Sequence, residues 1–138
     1  MIEYDKLKRA LILLKEQNDR LNSLFDVQQQ WIIDAVKEST IQRFEICWDC
    51  LWKVLKRYLK EEIGLTDLPN GPKPIFRLAN ENNLLPSDIE NWMKYNQARV
   101  DTSHDYSGTK AEDALAIMDD FIDDAIGLYQ TMSGESWE

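Results

Sequence analysis

The stretch from residue 99 to residue 106 brings together three side chains whose chemistry suits a phosphate group. It reads Arg-Val-Asp-Thr-Ser-His-Asp-Tyr and contains the only histidine of the chain. Imidazole can donate and accept a proton near neutral pH, and guanidinium is always charged and binds phosphate oxygens in a forked geometry. Arg99 and His104, followed by the phenol of Tyr106, are therefore candidates for acting on a phosphodiester.

A purely structural interpretation of the same residues stays open. A histidine after Thr-Ser is often a turn or capping residue, and an arginine near the end of a helix often interacts only with the helix dipole. Tyr106 could equally be a partly buried aromatic residue that closes one end of the fold. On spacing alone this interpretation is the more common one, because short motifs often match by chance.

Two further residues of the stretch, Asp101 and Ser103, are candidates for a supporting role. The stretch is predicted to lie where one helix ends and the next has not begun. Five positions along a straight helix turn a side chain well away from its starting direction, so Arg99 and His104 need not share a face there. Two geometries could still bring them together: the chain bends His104 back at a helix end, or a two-fold dimer joins two copies of the stretch.

The rest of the sequence predicts helices that position this stretch. Apolar residues recur at a spacing of three or four in the first half of the chain, and a Pro- and Gly-rich segment at 66–74 predicts a loop. Two Ser/Thr-x-x-Glu sequences predict helix starts at Ser87 and Thr109. Helices are expected at about 5–24, 29–62, 75–82 and 87–98, and from residue 109 onward.

These elements predict an all-α fold, an antiparallel up-and-down four-helix bundle with one extra short helix. The sequence shows no internal repeat and no convincing strand. A chain of 138 residues fits one domain and can bury a hydrophobic core. We expect this domain to span residues 1–132 and residues 133–138 to form a frayed tail.

Composition excludes several classes of protein. Apolar residues make up 43% of the chain, which is too high for a disordered acidic protein. Charged residues interrupt every apolar run, so no membrane span is expected, and a cytoplasmic protein without a signal peptide is the simplest interpretation. Cys47 and Cys50 form a lone C-x-x-C inside a helical segment, which favours a buried, reduced, structural pair. No metal site and no cofactor is predicted.

The net charge of −9 is unevenly distributed. It falls entirely in residues 66–138, which hold 5 Lys or Arg and 14 Asp or Glu. An acidic half repels nucleic acid at long range, and no basic stripe is visible along the sequence. The acidic last helix is interpreted as a solvated face, with a docking surface for a basic partner as the alternative.

Two stretches of the chain resemble the HEPN superfamily of small helical bundles, and more closely its nucleotidyltransferase substrate-binding branch. The segment 99–106 matches the superfamily pattern R-x4-H-x-Y. The long second helix is similar to the signature of that branch. It contributes Ile41-Gln42-Arg43-Phe44-Glu45, Trp48, Leu51-Trp52-Lys53, Leu55-Lys56 and Tyr58-Leu59.

The resemblance implies a homodimer that works with a separate minimal nucleotidyltransferase protein. Some members of the superfamily are metal-independent endoribonucleases that serve as toxins of toxin–antitoxin pairs. By this resemblance His104 is the general acid or base and Arg99 stabilises charge on the phosphate, while Tyr106 is the residue that the partner modifies with AMP. The substrate would be RNA rather than DNA, because the chemistry needs a 2′-hydroxyl.

One departure from the pattern keeps alternatives open. Many nuclease members carry a polar residue directly after the arginine, where this chain has Val100. The second hypothesis is a non-catalytic substrate-binding subunit of a split nucleotidyltransferase, with Trp48, Trp52 and Trp92 lining a small-molecule pocket. Large aromatic residues on an apolar stripe more often belong to the core. A helical scaffold without a ligand of its own is the third possibility.

Overall fold

The computed structural model describes residues 1–24, 29–104 and 108–137. Within these residues the chain forms six helices and no strand, which confirms the predicted all-α class. No helix in this part of the chain combines the length and the apolar composition that a membrane crossing requires. The helices are α1 (Asp5–Asn22), α2 (Gln30–Glu61), α3 (Pro72–Glu81), α4 (Ile89–His104), α5 (Gly108–Ala116) and α6 (Met118–Ser133).

The long helix α2 is the centre of the fold and contacts all five other helices. Its 32 residues correspond to a length of about 48 Å. The bounds of α1 and α2 agree with the sequence prediction to within two residues, because a regular apolar stripe marks both helices. The turn predicted between them, at Asp26-Val27-Gln28, lies outside the described part of the chain.

The core is built around stacked aromatic rings. The ring of Phe76 lies between those of Trp48 and Trp92, at centroid distances of 4.8 and 5.0 Å, and Phe121 closes the cluster from α6. Each large apolar side chain buried in this way contributes about 1.5–3 kcal/mol. Trp48 and Trp92 are at most 1% exposed, so the core interpretation of these two residues is confirmed.

Helix α3 begins earlier than the sequence suggested. The segment 66–74 was expected to exclude regular structure, yet Pro72 and Pro74 lie in the first turn of α3. Proline is well tolerated there, because the first amide groups of a helix have no partner within the helix and the fixed φ angle of proline already suits it. The Pro- and Gly-rich segment at 66–74 therefore contains the start of a helix as well as a loop.

Helix α4 extends further than expected, and this changes the setting of the candidate residues. It runs to His104, so the prediction that residues 99–104 lie between two helices is wrong. Neither Gly nor Pro occurs between Ile89 and His104, and nothing in that segment ends the helix. Helix α4 begins at Ile89, and the hydroxyl of Ser87 donates a hydrogen bond to the Asp124 carboxylate on α6 at 2.8 Å.

The last predicted helix is divided in two. Ile117 separates α5 from α6, and its amide bonds to the carbonyl three residues earlier, at Ala114, rather than four. Gly134 adopts the left-handed conformation that commonly ends a helix. Beyond it, the ring of Trp137 packs edge-on against Tyr129 at 5.9 Å, so the segment predicted as a frayed tail contributes a side-chain contact to the bundle.

Candidate functional site

Arg99 is fixed against helix α2 by two carboxylates. Its Nε and Nη2 atoms donate to the two oxygens of Asp49 at 3.2 and 3.1 Å, and its Nη1 donates to Oε2 of Glu45 at 3.2 Å. The Thr102 hydroxyl donates to the same Glu45 oxygen at 2.8 Å. We call these four residues the Arg99 cluster.

Burial differs sharply within the Arg99 cluster. The side chain of Glu45 is 11% exposed, that of Arg99 25% and that of Asp49 43%, while Thr102 is fully buried. The Arg99–Glu45 pair is therefore an inner ion pair that a buried hydroxyl supports, and the Arg99–Asp49 pair faces solvent. Charge-assisted, forked contacts of this kind hold a guanidinium in one orientation.

His104 points in a different direction from Arg99. Both lie on α4, where a five-residue step turns a side chain by about 140° and advances it by about 7.5 Å along the axis. Arg99 faces α2, whereas His104 is exposed at the last turn. Since helix α4 runs to His104, the chain does not bend this residue back at a helix end, and the two-fold dimer stays a prediction.

The two candidate supporting residues are engaged in bonds within the helix. Asp101 accepts a hydrogen bond from Gln97 at 2.9 Å, and the Ser103 hydroxyl donates to the carbonyl of Val100 at 2.6 Å. Neither bond reaches Arg99 or His104. Tyr106, the candidate acceptor of AMP, lies outside the described residues.

Sequence reasoning missed the carboxylates that hold Arg99. Glu45 interrupts the apolar stripe of α2 between Phe44 and Trp48, and a charged residue inside such a stripe needs a partner when it is buried. That signal was available. The identity of the partner was not, because more than fifty residues separate Glu45 from Arg99 and only the packing of α4 on α2 brings them together.

The cysteine pair has a structural setting. Cys47 is buried and Cys50 is half-buried, and both thiols are free. Burial raises the pKa of both thiols above the ordinary value, which disfavours the reactive thiolate form. Over residues 1–24, 29–104 and 108–137, no group of three or more His, Cys, Asp or Glu side chains is arranged to hold a metal ion.

Comparison with known proteins assigns the chain to a family. Residues 2–134 match the family described as "Nucleotidyltransferase substrate binding protein like". The chain belongs to this family. The match covers nearly all of the bundle, and it confirms the resemblance that the sequence of α2 and the R-x4-H-x-Y pattern indicated.

Relatives of known sequence and structure support the same assignment. A Haemophilus influenzae protein named "Probable ribonuclease HepT" is 30% identical over 118 residues, which are 84% of this chain and 77% of that protein. A Haemophilus influenzae structure, described as revealing the fold of a substrate binding domain of a nucleotidyltransferase, superimposes with a TM-score of 0.84 at 28% identity and covers 94% of this chain and 98% of its own. A structure from Thermus thermophilus superimposes with a TM-score of 0.71 at 26% identity, covering 93% and 96% respectively.

Proposed function

We propose that this chain is the HEPN-type helical subunit of a two-protein system with a separate minimal nucleotidyltransferase, and that it is the toxin-like component with metal-independent RNase activity. One observation carries the proposal. Arg99, the arginine of the R-x4-H-x-Y pattern, is oriented by the Arg99 cluster, while the histidine of the pattern is exposed at the end of the same helix. The family match and the name of the Haemophilus influenzae relative support it.

The chemistry is a transesterification within RNA. The 2′-hydroxyl oxygen attacks the neighbouring phosphorus and the bond to the 5′ oxygen breaks, which leaves a 2′,3′-cyclic phosphate and a 5′-hydroxyl. His104 takes the 2′-hydroxyl proton or supplies a proton to the leaving oxygen. Arg99 stabilises the negative charge that develops on the phosphate oxygens. DNA lacks the attacking hydroxyl and is not a substrate.

The site is completed by a second copy of the chain. Within one subunit Arg99 and His104 are separated by about 140° around α4, and in this proposal a two-fold axis brings Arg99 of one subunit beside His104 of the other. An exposed apolar side chain adjoins the Arg99 cluster in sequence, since Val100 is 43% exposed. Covering such residues is a common consequence of dimer formation.

The partner acts on Tyr106. In this proposal the nucleotidyltransferase transfers AMP from ATP to the Tyr106 phenol, and the added group, bulky and anionic, blocks access of RNA to the neighbouring His104. The phenol oxygen forms a bond to the α-phosphorus of ATP, and pyrophosphate leaves. Both ATP and RNA are abundant in the cytoplasm, which is where we place the pair.

The proposal is tested by RNA cleavage in the presence of EDTA. We expect the chain to release fragments that end in a 2′,3′-cyclic phosphate, and we expect His104→Ala to abolish this release without changing thermal unfolding, because His104 is exposed. Lys94→Ala, an exposed change on the same helix, is the matched control and should retain activity. Full cleavage by both His104→Ala and Arg99→Ala would overturn the proposal.

A second candidate function is supported by the charge of the site. The Arg99 cluster holds two carboxylates against one guanidinium, and this net negative charge opposes the approach of a phosphate. The chain would then be the non-catalytic, substrate-binding subunit of a split nucleotidyltransferase, in keeping with the description of its family. Retention of a nucleotide or small ligand only when both proteins are mixed, with no RNA cleavage, would favour this function.

A further inference from the structure

A groove between α1 and α2 lies beside the Arg99 cluster. It encloses about 800 Å³, and its apolar part is formed by Ala10 on α1 together with Ile46 and Val54 on α2. Ile46 is 65% exposed, so this apolar surface is open to solvent. The volume is in the range of ligand-binding clefts.

Four basic side chains line this groove, although the protein as a whole carries a net charge of −9. They are Lys6, Arg9, Lys53 and Arg57. Sequence reasoning found no basic stripe, because the two pairs lie more than forty positions apart and only the packing of α1 on α2 joins them. The fold therefore collects positive charge on a surface where the sequence indicated none.

Three of these cations are available for a ligand. Over the part of the chain that the structure describes, no ion pair engages Lys6, Arg9 or Lys53. The Nζ atom of Lys53 lies over the Trp52 ring, 5.8 Å from the ring centre, and this contact leaves its charge unneutralised. Arg57 is paired with Glu61 at 3.0 Å.

Three carboxylates also line the groove, and their positions matter. Glu3 and Asp5 lie where α1 begins, whereas Asp49 lies on α2 and is paired with Arg99. Asp49 thus belongs to both features, since it lines the groove and accepts two hydrogen bonds from Arg99. Asp49 therefore connects the groove to the arginine of the proposed active site.

We propose that the α1–α2 groove binds the sugar–phosphate backbone of single-stranded RNA and directs the strand to Arg99. The proposal deepens the proposed function and rests on it for the reaction at the end of the groove. A positively charged groove that tracks the backbone is the usual way in which proteins bind single strands. The apolar floor suits ribose and base surfaces. Because contacts to the sugar–phosphate backbone carry no sequence information, we expect the groove to bind single strands with little preference for sequence.

The shape of the surface favours a strand over an acidic protein. A single strand fits into a concave channel between two helices, whereas protein interfaces of ordinary size need a broad surface of about 800 Å² per partner. The continuity with Arg99 through Asp49 gives the strand a place to be cleaved. An acidic surface of the nucleotidyltransferase is the competing occupant, and the experiment below separates the two.

The test measures binding rather than cleavage. A fluorescein-labelled single-stranded oligouridylate is titrated in EDTA with the full chain carrying His104→Ala, which prevents turnover. The groove variant adds Lys6→Ala, Arg9→Ala and Lys53→Ala, all at exposed positions. The matched control adds three exposed changes outside the groove and alters the net charge by the same amount; it comprises Lys73→Ala, Lys94→Ala and Lys110→Ala.

We expect the groove variant to bind the oligouridylate at least about tenfold more weakly than the control. Its plot of log affinity against log salt concentration should be shallower by about 2, because each phosphate contact to a single strand contributes about 0.7 to the slope. Equal affinities and equal slopes for the two variants would overturn the proposal. So would loss of binding to the nucleotidyltransferase with unchanged RNA binding, since the groove would then be a protein-docking surface.

Failure of the groove and failure of the proposed function give different results. If the groove variant loses binding but the unmodified chain never cleaves RNA, the groove proposal stands and the proposed function fails. If the unmodified chain cleaves RNA through His104 and the three groove substitutions leave both binding and cleavage unchanged, the proposed function stands and the groove proposal fails. Thermal unfolding of each variant excludes a loss of fold as the cause.

Discussion

Removing the Arg99 side chain should destabilise the bundle as well as the proposed active site. The Glu45 side chain is only 11% exposed, and in Arg99→Ala its carboxylate loses the guanidinium that balances its charge. The Thr102 hydroxyl remains as a hydrogen-bond donor to Glu45, but a hydroxyl does not compensate a full charge. Asp49 is 43% exposed and regains water when Arg99 is removed.

The expected cost follows from these exposures. Breaking a fully buried ion pair costs about 3–5 kcal/mol, whereas an exposed pair such as Arg99–Asp49 contributes at most about 1 kcal/mol. Because Arg99 retains 25% exposure, we expect Arg99→Ala to lower the free energy of unfolding by about 2–3 kcal/mol. For a chain of this size this corresponds to a fall in Tm of about 10 °C.

Urea denaturation followed by circular dichroism measures this loss. A double-mutant cycle with Glu45→Gln should return a coupling energy of about 2 kcal/mol between the two side chains, while Asp49→Asn alone should cost about 0.5 kcal/mol. Arg77→Ala, which changes an exposed arginine on α3, is the control and should stay within about 0.5 kcal/mol of wild type. If Arg99→Ala lowered the free energy of unfolding by no more than this control, the inner ion pair between Arg99 and Glu45 would be refuted.

Two further outcomes follow from the structure and a third from the proposed function. Tyr95→Phe should lower the free energy of unfolding by about 1.5 kcal/mol, because the buried phenol donates to the Asp124 carboxylate at 2.5 Å; equal urea midpoints would contradict this. Burial raises the pKa of Tyr4 to about 12 against about 10 in the unfolded chain, so its contribution to stability is complete below pH 10 and is lost as the pH rises towards 12. Urea midpoints across that range should fall less steeply in Tyr4→Phe, and identical slopes would argue against it. Incubation with ATP and the nucleotidyltransferase should add one or more AMP units to the intact mass, and Tyr106→Phe should show none; a gain that persists in that variant would exclude Tyr106 as the acceptor.

The helices could be located from the sequence wherever the signal was local. The apolar stripes of α1 and α2 gave their bounds to within two residues, because three–four periodicity depends only on nearby positions. The end of α4 was misplaced at Ala98, although the absence of Gly and Pro up to His104 permitted a longer helix.

The candidate site was only partly predictable, for a physical reason. The R-x4-H-x-Y pattern is contiguous and could be recognised, whereas the Arg99–Glu45 contact depends on how α4 packs against α2. The same holds for the α1–α2 groove, whose Arg9 and Lys53 come from distant segments. Contacts between distant segments produce no regular pattern in the sequence. The charged Glu45 inside an apolar stripe was therefore the only sequence signal that pointed to the Arg99 cluster.

The central claim, that Arg99 of one subunit and His104 of another act on the same phosphate, is tested most directly by mixing inactive subunits. Arg99→Ala and His104→Ala chains are co-expressed, and RNA cleavage by the purified mixture is compared with that of each variant alone. A shared site across a two-fold axis predicts recovery to about a quarter of wild-type activity, because half of the dimers are mixed and each mixed dimer holds one intact site of two. No recovery in a mixture shown to contain mixed dimers would contradict the account.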